Sequence, residues 1–179
     1  MAQILQNLDA ALLLVIQDLR LDWLDPLVEF YTTLGNAGAL WIVLSLVLLF
    51  RKSTRKAGVT GLLALALGFL CTNVVLKNLV GRTRPWLDVP GLIHLVEEGD
   101  PNSFPSGHTT AALAAAVAWA RSLPRKWMGV LAVGAAVCMG LSRLYVGVHY
   151  PSDVLAGALV GTACGWLAGY LYEKITGRI

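Results

Sequence analysis

Long apolar runs alternate with short polar segments along the chain, and the runs have roughly the length of helices that cross a bilayer, about 20 residues each. The first, residues 23 to 50, is interrupted at Gly35-Asn36-Ala37-Gly38, which predicts a span that is kinked or broken near Gly35. The tract 22 to 34 can instead extend an interfacial element. The other predicted spans cover residues 57 to 80, 106 to 121, 127 to 144 and 151 to 172.

The start of the chain is apolar but repeatedly broken by polar residues, namely Gln6, Asn7, Asp9, Gln17 and Asp18. Because it is too polar and too short for a span, residues 1–21 predict an amphipathic helix at the membrane interface. No internal repeat or linker divides the remainder. We therefore predict an all-α fold: a polytopic transmembrane bundle of about five spans plus an N-terminal interfacial helix, in one domain over residues 1–179 with its core at 22–179.

Composition supports a membrane protein, since hydrophobic residues make up 56%, charged residues 14%, and mean hydropathy is +0.65. The net charge of +3 is too small to indicate nucleic-acid binding. The densest basic run of the chain predicts a cytoplasmic loop and consists of Arg51-Lys52-Ser53-Thr54-Arg55-Lys56. The long polar segment 81 to 104 would then lie outside, as would the N-terminus, with the C-terminus inside.

The stretch from Ser142 to Asp153 places three chemically active side chains between two apolar runs. Charge is expensive in such a setting and usually has a use. Pro151 suits the first position of a helix, so His149 would lie just outside that helix and Asp153 in its first turn. Asp153 can then orient an imidazole, and Arg143 offers a planar fork to an oxyanion. Cations that merely snorkel to lipid headgroups remain the alternative for this stretch.

A second candidate motif, Phe104-Pro105-Ser106-Gly107-His108, directly precedes an alanine-rich helix. The unpaired N–H groups at a helix start carry partial positive charge and form a cradle for phosphate. Gly107 lets the backbone approach the anion, and His108 can donate a proton to a leaving oxygen. A plain N-cap, with Ser103 or Ser106 capping and His108 exposed, is the alternative.

Two further cations close the second span. Lys77 and Arg84 can grip one phosphate from different directions, or else snorkel and lie exposed in the loop. We expect Arg82, between them, to be solvated. Under the predicted topology the charged candidates gather at one membrane face: Lys77, Arg84, His108, Arg143 and His149.

These motifs resemble the three-part signature of the type-2 phosphatidic-acid phosphatase family, which shares its site with the vanadium haloperoxidases. The residues that carry the resemblance run from Lys77 to Arg84-Pro85, over Pro105-Ser106-Gly107-His108, and from Ser142-Arg143 through His149 to Asp153. Every motif position is filled, in the family's order, and the resemblance covers residues 57 to 172. It implies a helical membrane bundle with its site at the extracytoplasmic end.

The resemblance also implies roles for these residues. His149 would attack phosphorus to give a phosphohistidine, Asp153 would orient His149, and His108 would protonate the leaving oxygen and then activate water. The phosphate oxygens would be held by Lys77, Arg84, Ser106, Gly107 and Arg143. No metal or other cofactor would be needed.

The small chain and short polar loop favour undecaprenyl pyrophosphate as the lipid substrate, in a bacterial cytoplasmic membrane with the site facing out. Phosphatidylglycerol phosphate, phosphatidate and diacylglycerol pyrophosphate are alternatives within the family. Outside it, the basic pocket could belong to a non-catalytic transporter of anionic lipids, although the charges gather at one end and not at the midplane. A vanadate-dependent haloperoxidase is a further alternative. The expected partners are a lipid phosphate and the bilayer, without nucleic acid, and the oligomeric state stays open.

Overall fold

The structure, a computed structural model, describes residues 2–177, with side chains from Ile4 onward. Within that range all regular structure is helical and no strand forms, which confirms the all-α membrane bundle. The helices are α1 (Ala2–Asp18), α2 (Asp25–Leu34), α3 (Ala39–Leu49), α4 (Arg55–Phe69), α5 (Lys77–Val80), α6 (Pro85–Asp88), α7 (Gly107–Ala120), α8 (Lys126–Tyr145) and α9 (Pro151–Ile175).

Within the described residues, three helical stretches are long and apolar enough to cross a membrane, namely Arg55–Asp88, α8 and α9. Helices α2 and α3 form a pair bent by 49° at a short 3-10 turn, Asn36–Gly38, and together would make a fourth, broken span. This bend confirms the kink predicted near Gly35. Helix α7 has 14 residues, fewer than the roughly 20 of a straight span, so the count of five stays a prediction.

Helix α7 is the centre of the bundle and packs against α4, α8 and α9. Five of its alanines are fully buried, which lets the neighbouring backbones approach closely: Ala112, Ala114, Ala115, Ala116 and Ala118. Helix α9 approaches α7 with a row of glycines, Gly157, Gly161 and Gly165. A Cβ on any of them would lie 2.5 to 2.6 Å from a carbonyl oxygen at the start or along the length of α7. Helices α7 and α9, whose first turns carry Gly107, His108 and Asp153, are therefore packed backbone to backbone.

Helix α1 lies on the outside of the bundle. Its inner face buries Leu13 against Val89, Leu92 and Tyr150, in a small cluster separate from the central one. Its outer face is apolar and exposed at Ile4, Leu5, Leu8, Leu12 and Val15. This two-faced pattern suits a helix that lies in the membrane interface. The interfacial placement, and the division of the chain at residue 21, remain predictions.

A π-helical segment, Leu70–Leu76, connects α4 to α5. Its wider turn changes the helical phase just before Lys77, and short π segments often occur at functional sites. Lys77 follows it as a buried residue with 7% of its surface exposed. The π segment thus sets the helical phase at which the Lys77 side chain faces the interior of the protein.

Candidate active site

Three distant segments meet around one cavity of about 550 Å³. They are the end of the second predicted span, the start of α7, and the connection between α8 and α9. Signature side chains and backbone line the cavity at Lys77, Arg84, Gly107, His108 and His149. Ser106, Arg143 and Asp153 lie directly behind, each 0% exposed. The structure therefore brings together all eight residues proposed from the sequence.

His149 is buried with its Nε2 atom 3.0 Å from Nη1 of Arg84. A guanidinium has no acceptor atom, so this contact requires a lone pair on Nε2 and places the ring proton on Nδ1. Burial, reinforced by the charge of Arg84, holds the pKa of His149 well below its usual range. The imidazole is therefore neutral near pH 7, with Nε2 beside the cations.

Asp153 faces the other side of the same ring. Its Oδ2 atom lies 3.6 Å from Nδ1 of His149 and accepts a hydrogen bond of 2.9 Å from the backbone N–H of Tyr150. The backbone carbonyl of Asp153 accepts the N–H of Ser106 at 3.0 Å, which ties the start of α7 to the first turn of α9. Asp153 is thus fixed by the cap of its own helix and adjoins the protonated nitrogen of His149.

The three proposed phosphate-binding cations are buried, with exposures of 7% for Lys77, 1% for Arg84 and 0% for Arg143. Side chains this deep do not reach lipid headgroups by snorkelling, so that alternative is excluded. Arg84 also donates 3.0 Å to the carbonyl of Val148, and Arg143 donates to the Thr32 hydroxyl of α2.

Two carboxylates of the polar loop neutralise these cations. Glu98 accepts from Arg143 and lies 3.4 Å from Nη2 of Arg84. The Asp100 carboxylate pairs with Lys77, and its backbone carbonyl accepts 2.9 Å from Nε of Arg84. Burial opposes ionisation of Asp100, but the hydrogen bond from Lys77 leaves its pKa below the usual value. The sequence analysis predicted neither contact, because an irregular loop gives no periodic signal for its partners.

Arg82 is not solvated, which corrects the sequence expectation. Its side chain is 17% exposed and donates hydrogen bonds of 2.7 Å to Asp153 and 2.8 Å to Asp9 of α1. The turn that follows α5, with Gly81 at φ 59°, redirects the chain at this point. Arg82 therefore bonds directly to a proposed site residue.

The start of α7 has the N-cap of the plain-cap alternative and also lies at the cavity. Ser106 is the N-cap, as in the plain-cap alternative, and its Oγ accepts from the N–H of Thr109 at 3.4 Å. His108 is half-buried and lines the cavity, with Nε2 3.0 Å from the side-chain oxygen of Asn36. Asn36 lies in the break between α2 and α3, so this break supplies a partner for the ring. The sequence marked the break but not this contact.

Away from the charged end, the cavity continues as an apolar arm between α3 and α4, lined by Ile42, Leu62, Leu65, Ala66 and Phe69. Ile42 is 38% exposed and Phe69 59% exposed, so the arm reaches the outer surface of the bundle. A ligand with an anionic head and an apolar tail fits this shape.

Histidines and buried cations at one cavity of a helical membrane bundle suit an enzyme that acts on phosphoric esters. Residues 57–176 match the PAP2 superfamily, and the chain belongs to that family of membrane lipid phosphatases. This membership sets aside the non-catalytic transporter.

The chain is similar to phosphatases with different named lipids. It is 34% identical to the undecaprenyl-diphosphatase of Sulfolobus acidocaldarius, over 81% of this chain and 69% of that protein. It is 27% identical to the lipid A 4'-phosphatase of Bacteroides thetaiotaomicron, over 100% and 83%. The crystal structure of a transmembrane PAP2-type phosphatidylglycerolphosphate phosphatase from Bacillus subtilis superposes with a TM-score of 0.79 at 31% identity, covering 95% of this chain and 87% of that one. The chain is therefore a multi-span protein that resembles bacterial membrane phosphatases.

Proposed function

We propose that this phosphatase hydrolyses undecaprenyl pyrophosphate through a phosphohistidine at His149. The observation that carries the proposal is one cavity that is lined by His149, Lys77 and Arg84, with Arg143 directly behind them, and that continues into an apolar arm. The arm suits a long hydrocarbon tail, and the 34% identity to a protein named undecaprenyl-diphosphatase supports the prenyl substrate.

In the first step Nε2 of His149 attacks the terminal phosphorus. A P–N bond forms as the P–O bond to the leaving group breaks, and the electron pair stays on the leaving oxygen, which takes a proton from His108. The proton on Nδ1 of His149 faces Asp153, whose negative charge stabilises the ring as it becomes cationic. In the second step His108 removes a proton from water as the water oxygen attacks phosphorus. The P–N bond breaks and its electron pair returns to Nε2 of His149, which releases inorganic phosphate and restores the neutral imidazole.

The phosphoryl oxygens would be held by Lys77, Arg84 and Arg143, with the hydroxyl of Ser106 and the N–H of Gly107. Fixed donors aimed at the oxygens that gain charge lower the barrier most when water is excluded. These cations supply the charge that Mg²⁺ supplies in many phosphoryl-transfer enzymes, so the proposed reaction requires no metal ion. Bound phosphate takes the position of the Glu98 carboxylate between the two arginines.

The proposed location is a bacterial cytoplasmic membrane, with the cavity on the extracytoplasmic side. Arg55 begins the helical stretch Arg55–Asp88 and Lys77 lies near its far end. The basic run at 51–56 and the cavity therefore occupy opposite ends of that stretch. The positive-inside rule assigns the basic end to the cytoplasm.

Phosphatidylglycerol phosphate is the second candidate substrate. It is favoured by the structural similarity to the Bacillus subtilis phosphatidylglycerolphosphate phosphatase, which extends over 95% of this chain. The charged end of the cavity accommodates the terminal phosphate of either lipid. The two candidates differ in the leaving group, which is a prenyl phosphate in one case and an alcohol in the other.

The test is phosphate release by the purified protein in detergent, with each lipid at equal concentration and a chelator present. We expect chelator-resistant release that is faster from undecaprenyl pyrophosphate and falls about a thousandfold or more in His149→Ala. His94→Ala is the matched control, because His94 stacks on Trp86 outside the cavity lining and its loss should leave the rate unchanged. Faster release from phosphatidylglycerol phosphate would make that lipid the preferred substrate. Substantial turnover by His149→Ala would contradict a phosphohistidine at that residue.

A further inference from the structure

Helix α1 carries a carboxylate that points into the protein. Asp9 is 3% exposed, whereas the other acid of the helix, Asp18, is exposed. It accepts hydrogen bonds from the guanidinium of Arg82 at 2.8 Å and from the N–H of Ser152 at 3.0 Å, and it pairs with the Ser152 hydroxyl. Burial of a carboxylate is unfavourable unless it is paired in this way.

Arg82 connects this carboxylate to Asp153. One guanidinium nitrogen donates to Asp9, and the other donates 2.7 Å to Oδ1 of Asp153 and 2.7 Å to the hydroxyl of Ser152. The guanidinium also lies 3.9 Å from the centre of the Tyr150 ring, which fixes its plane. An arginine held at both ends and on one face has little freedom to move.

The two carboxylate oxygens of Asp153 consequently have different partners. Oδ2 accepts the N–H of Tyr150 and faces Nδ1 of His149 at 3.6 Å, whereas Oδ1 is held by Arg82. Without the contact to Arg82, only the N–H of Tyr150 would oppose rotation of the carboxylate about its Cβ–Cγ bond, which moves Oδ2 away from the ring. The bond from Arg82 therefore adds a second restraint on how Oδ2 faces His149.

The buried carboxylate of Asp9 is not needed to hold α1 against the bundle. Leu13 already packs in the cluster with Val89, Leu92 and Tyr150. Gln17 also bonds to the polar loop, donating 3.1 Å to the carbonyl of Gly91 and accepting 2.6 Å from the N–H of Ile93. These contacts secure the helix without a buried ion pair.

We propose that Asp9 and Arg82 are positioning residues, through which α1 fixes the carboxylate of Asp153 against His149. This inference rests on the proposed roles of His149 and Asp153. It assigns a function in the reaction to α1, a helix outside the matched segment 57–176.

The test is a double-mutant analysis of kcat and KM with undecaprenyl pyrophosphate in detergent, together with Tm. We expect Asp9→Asn and Arg82→Gln each to lower kcat about tenfold, the size expected for a lost charge-assisted hydrogen bond, with KM nearly unchanged. In the Asp153→Asn background the same changes should cause no further loss, because they act through that carboxylate. Full, multiplicative losses in that background would overturn the inference, as would a normal kcat in Asp9→Asn.

Milder variants keep the test decisive if Asp9→Asn does not fold. Ser152→Ala removes one shared hydroxyl and should lower kcat about threefold, and Arg82→Lys should restore part of the rate lost in Arg82→Gln. Asp18→Asn, an exposed acid on the same helix, is the matched control and should behave like the parent protein. A wild-type protein that releases no phosphate would contradict the proposed function, whereas an active wild type with no effect at Asp9, Arg82 and Ser152 would contradict this inference alone.

Discussion

Glu98 occupies the meeting point of two of the proposed phosphate-binding cations. Its carboxylate contacts Arg84 and Arg143, and its side chain is 15% exposed. In the proposed binding mode, a phosphate held by the Nη2 atoms of both arginines takes the place of this carboxylate, so Glu98 would compete with the substrate. When no phosphate is bound, Glu98 neutralises the two buried cations.

Replacement of Glu98 by glutamine should strengthen phosphate binding and weaken the ligand-free protein. We expect Glu98→Gln to lower KM and the inhibition constant of orthophosphate about threefold to tenfold, with kcat little changed, because a charged competitor is lost. Its Tm without phosphate should fall, and added phosphate should recover it. Glu97→Gln is the matched control, since that side chain is 98% exposed. A higher KM in Glu98→Gln would mean that Glu98 helps to bind the substrate.

The ionisation of His149 gives a second prediction for a single residue. Its pKa is lowered by burial and by Arg84, so the neutral form should persist as pH falls through 6.5, the ordinary pKa, and protonation should begin only at lower pH. Titration of ¹⁵N-labelled histidine by NMR, with His149→Ala to assign the signal, measures this directly. Half-protonation of His149 at pH 6.5 or above would contradict the buried, neutral imidazole.

The sequence singled out residues that the fold brings together, but it did not single out their partners. Arg143 and His149 stood out because a charged or ionisable group between apolar runs is costly wherever it is placed. Asp9, Arg82 and Glu98 carried no such signal, because they lie in polar segments where solvation is the ordinary expectation. Their contacts depend on how α1 and the polar loop fold over the helix ends, which no local pattern encodes.

At the scale of the elements, the packing of α9 on α7 aligns the two halves of the site. Ser106 caps α7, Asp153 lies in the first turn of α9, and the backbone hydrogen bond of 3.0 Å between them depends on this close approach. Gly161 lies two turns along the same contact, where a Cβ would be 2.5 Å from the carbonyl oxygen of Thr110. Rigid backbone atoms cannot move aside as a flexible side chain can.

Gly161→Ala should therefore push the two helices apart. We expect a loss of about 1–3 kcal/mol of stability, larger than the gain in helix propensity, together with lower kcat as the site widens. Gly134→Ala on α8 is the matched control, because a Cβ there meets nothing within 4 Å and should raise stability slightly. Thermal unfolding of the detergent-solubilised variants measures both changes. Equal stability of the two variants would show that the contact between α7 and α9 tolerates a methyl group.

Over the whole molecule, a charged chamber at one end continues into an apolar arm that opens on the side of the bundle. The bend between α2 and α3 serves both parts, since Asn36 contacts His108 and Ile42 of α3 lines the arm. The sequence predicted this bend from Gly35 and Gly38, because helices often kink at glycines. It could not predict the arm, which is lined by side chains of α3 and α4 that only the folded bundle brings together.

If the arm holds the hydrocarbon tail, a bulky side chain in it should affect lipid substrates alone. We expect Ala66→Trp to raise KM for undecaprenyl pyrophosphate about tenfold or more, because Ala66 lines the arm and an indole would take the volume the tail needs. Turnover of para-nitrophenyl phosphate, which has no tail, should stay unchanged, because the charged chamber is intact. Val130→Trp, on an exposed position of α8, controls for added bulk on the lipid-facing surface. Equal losses on both substrates would mean that the indole distorts the chamber, and no loss on either would place the tail outside the arm.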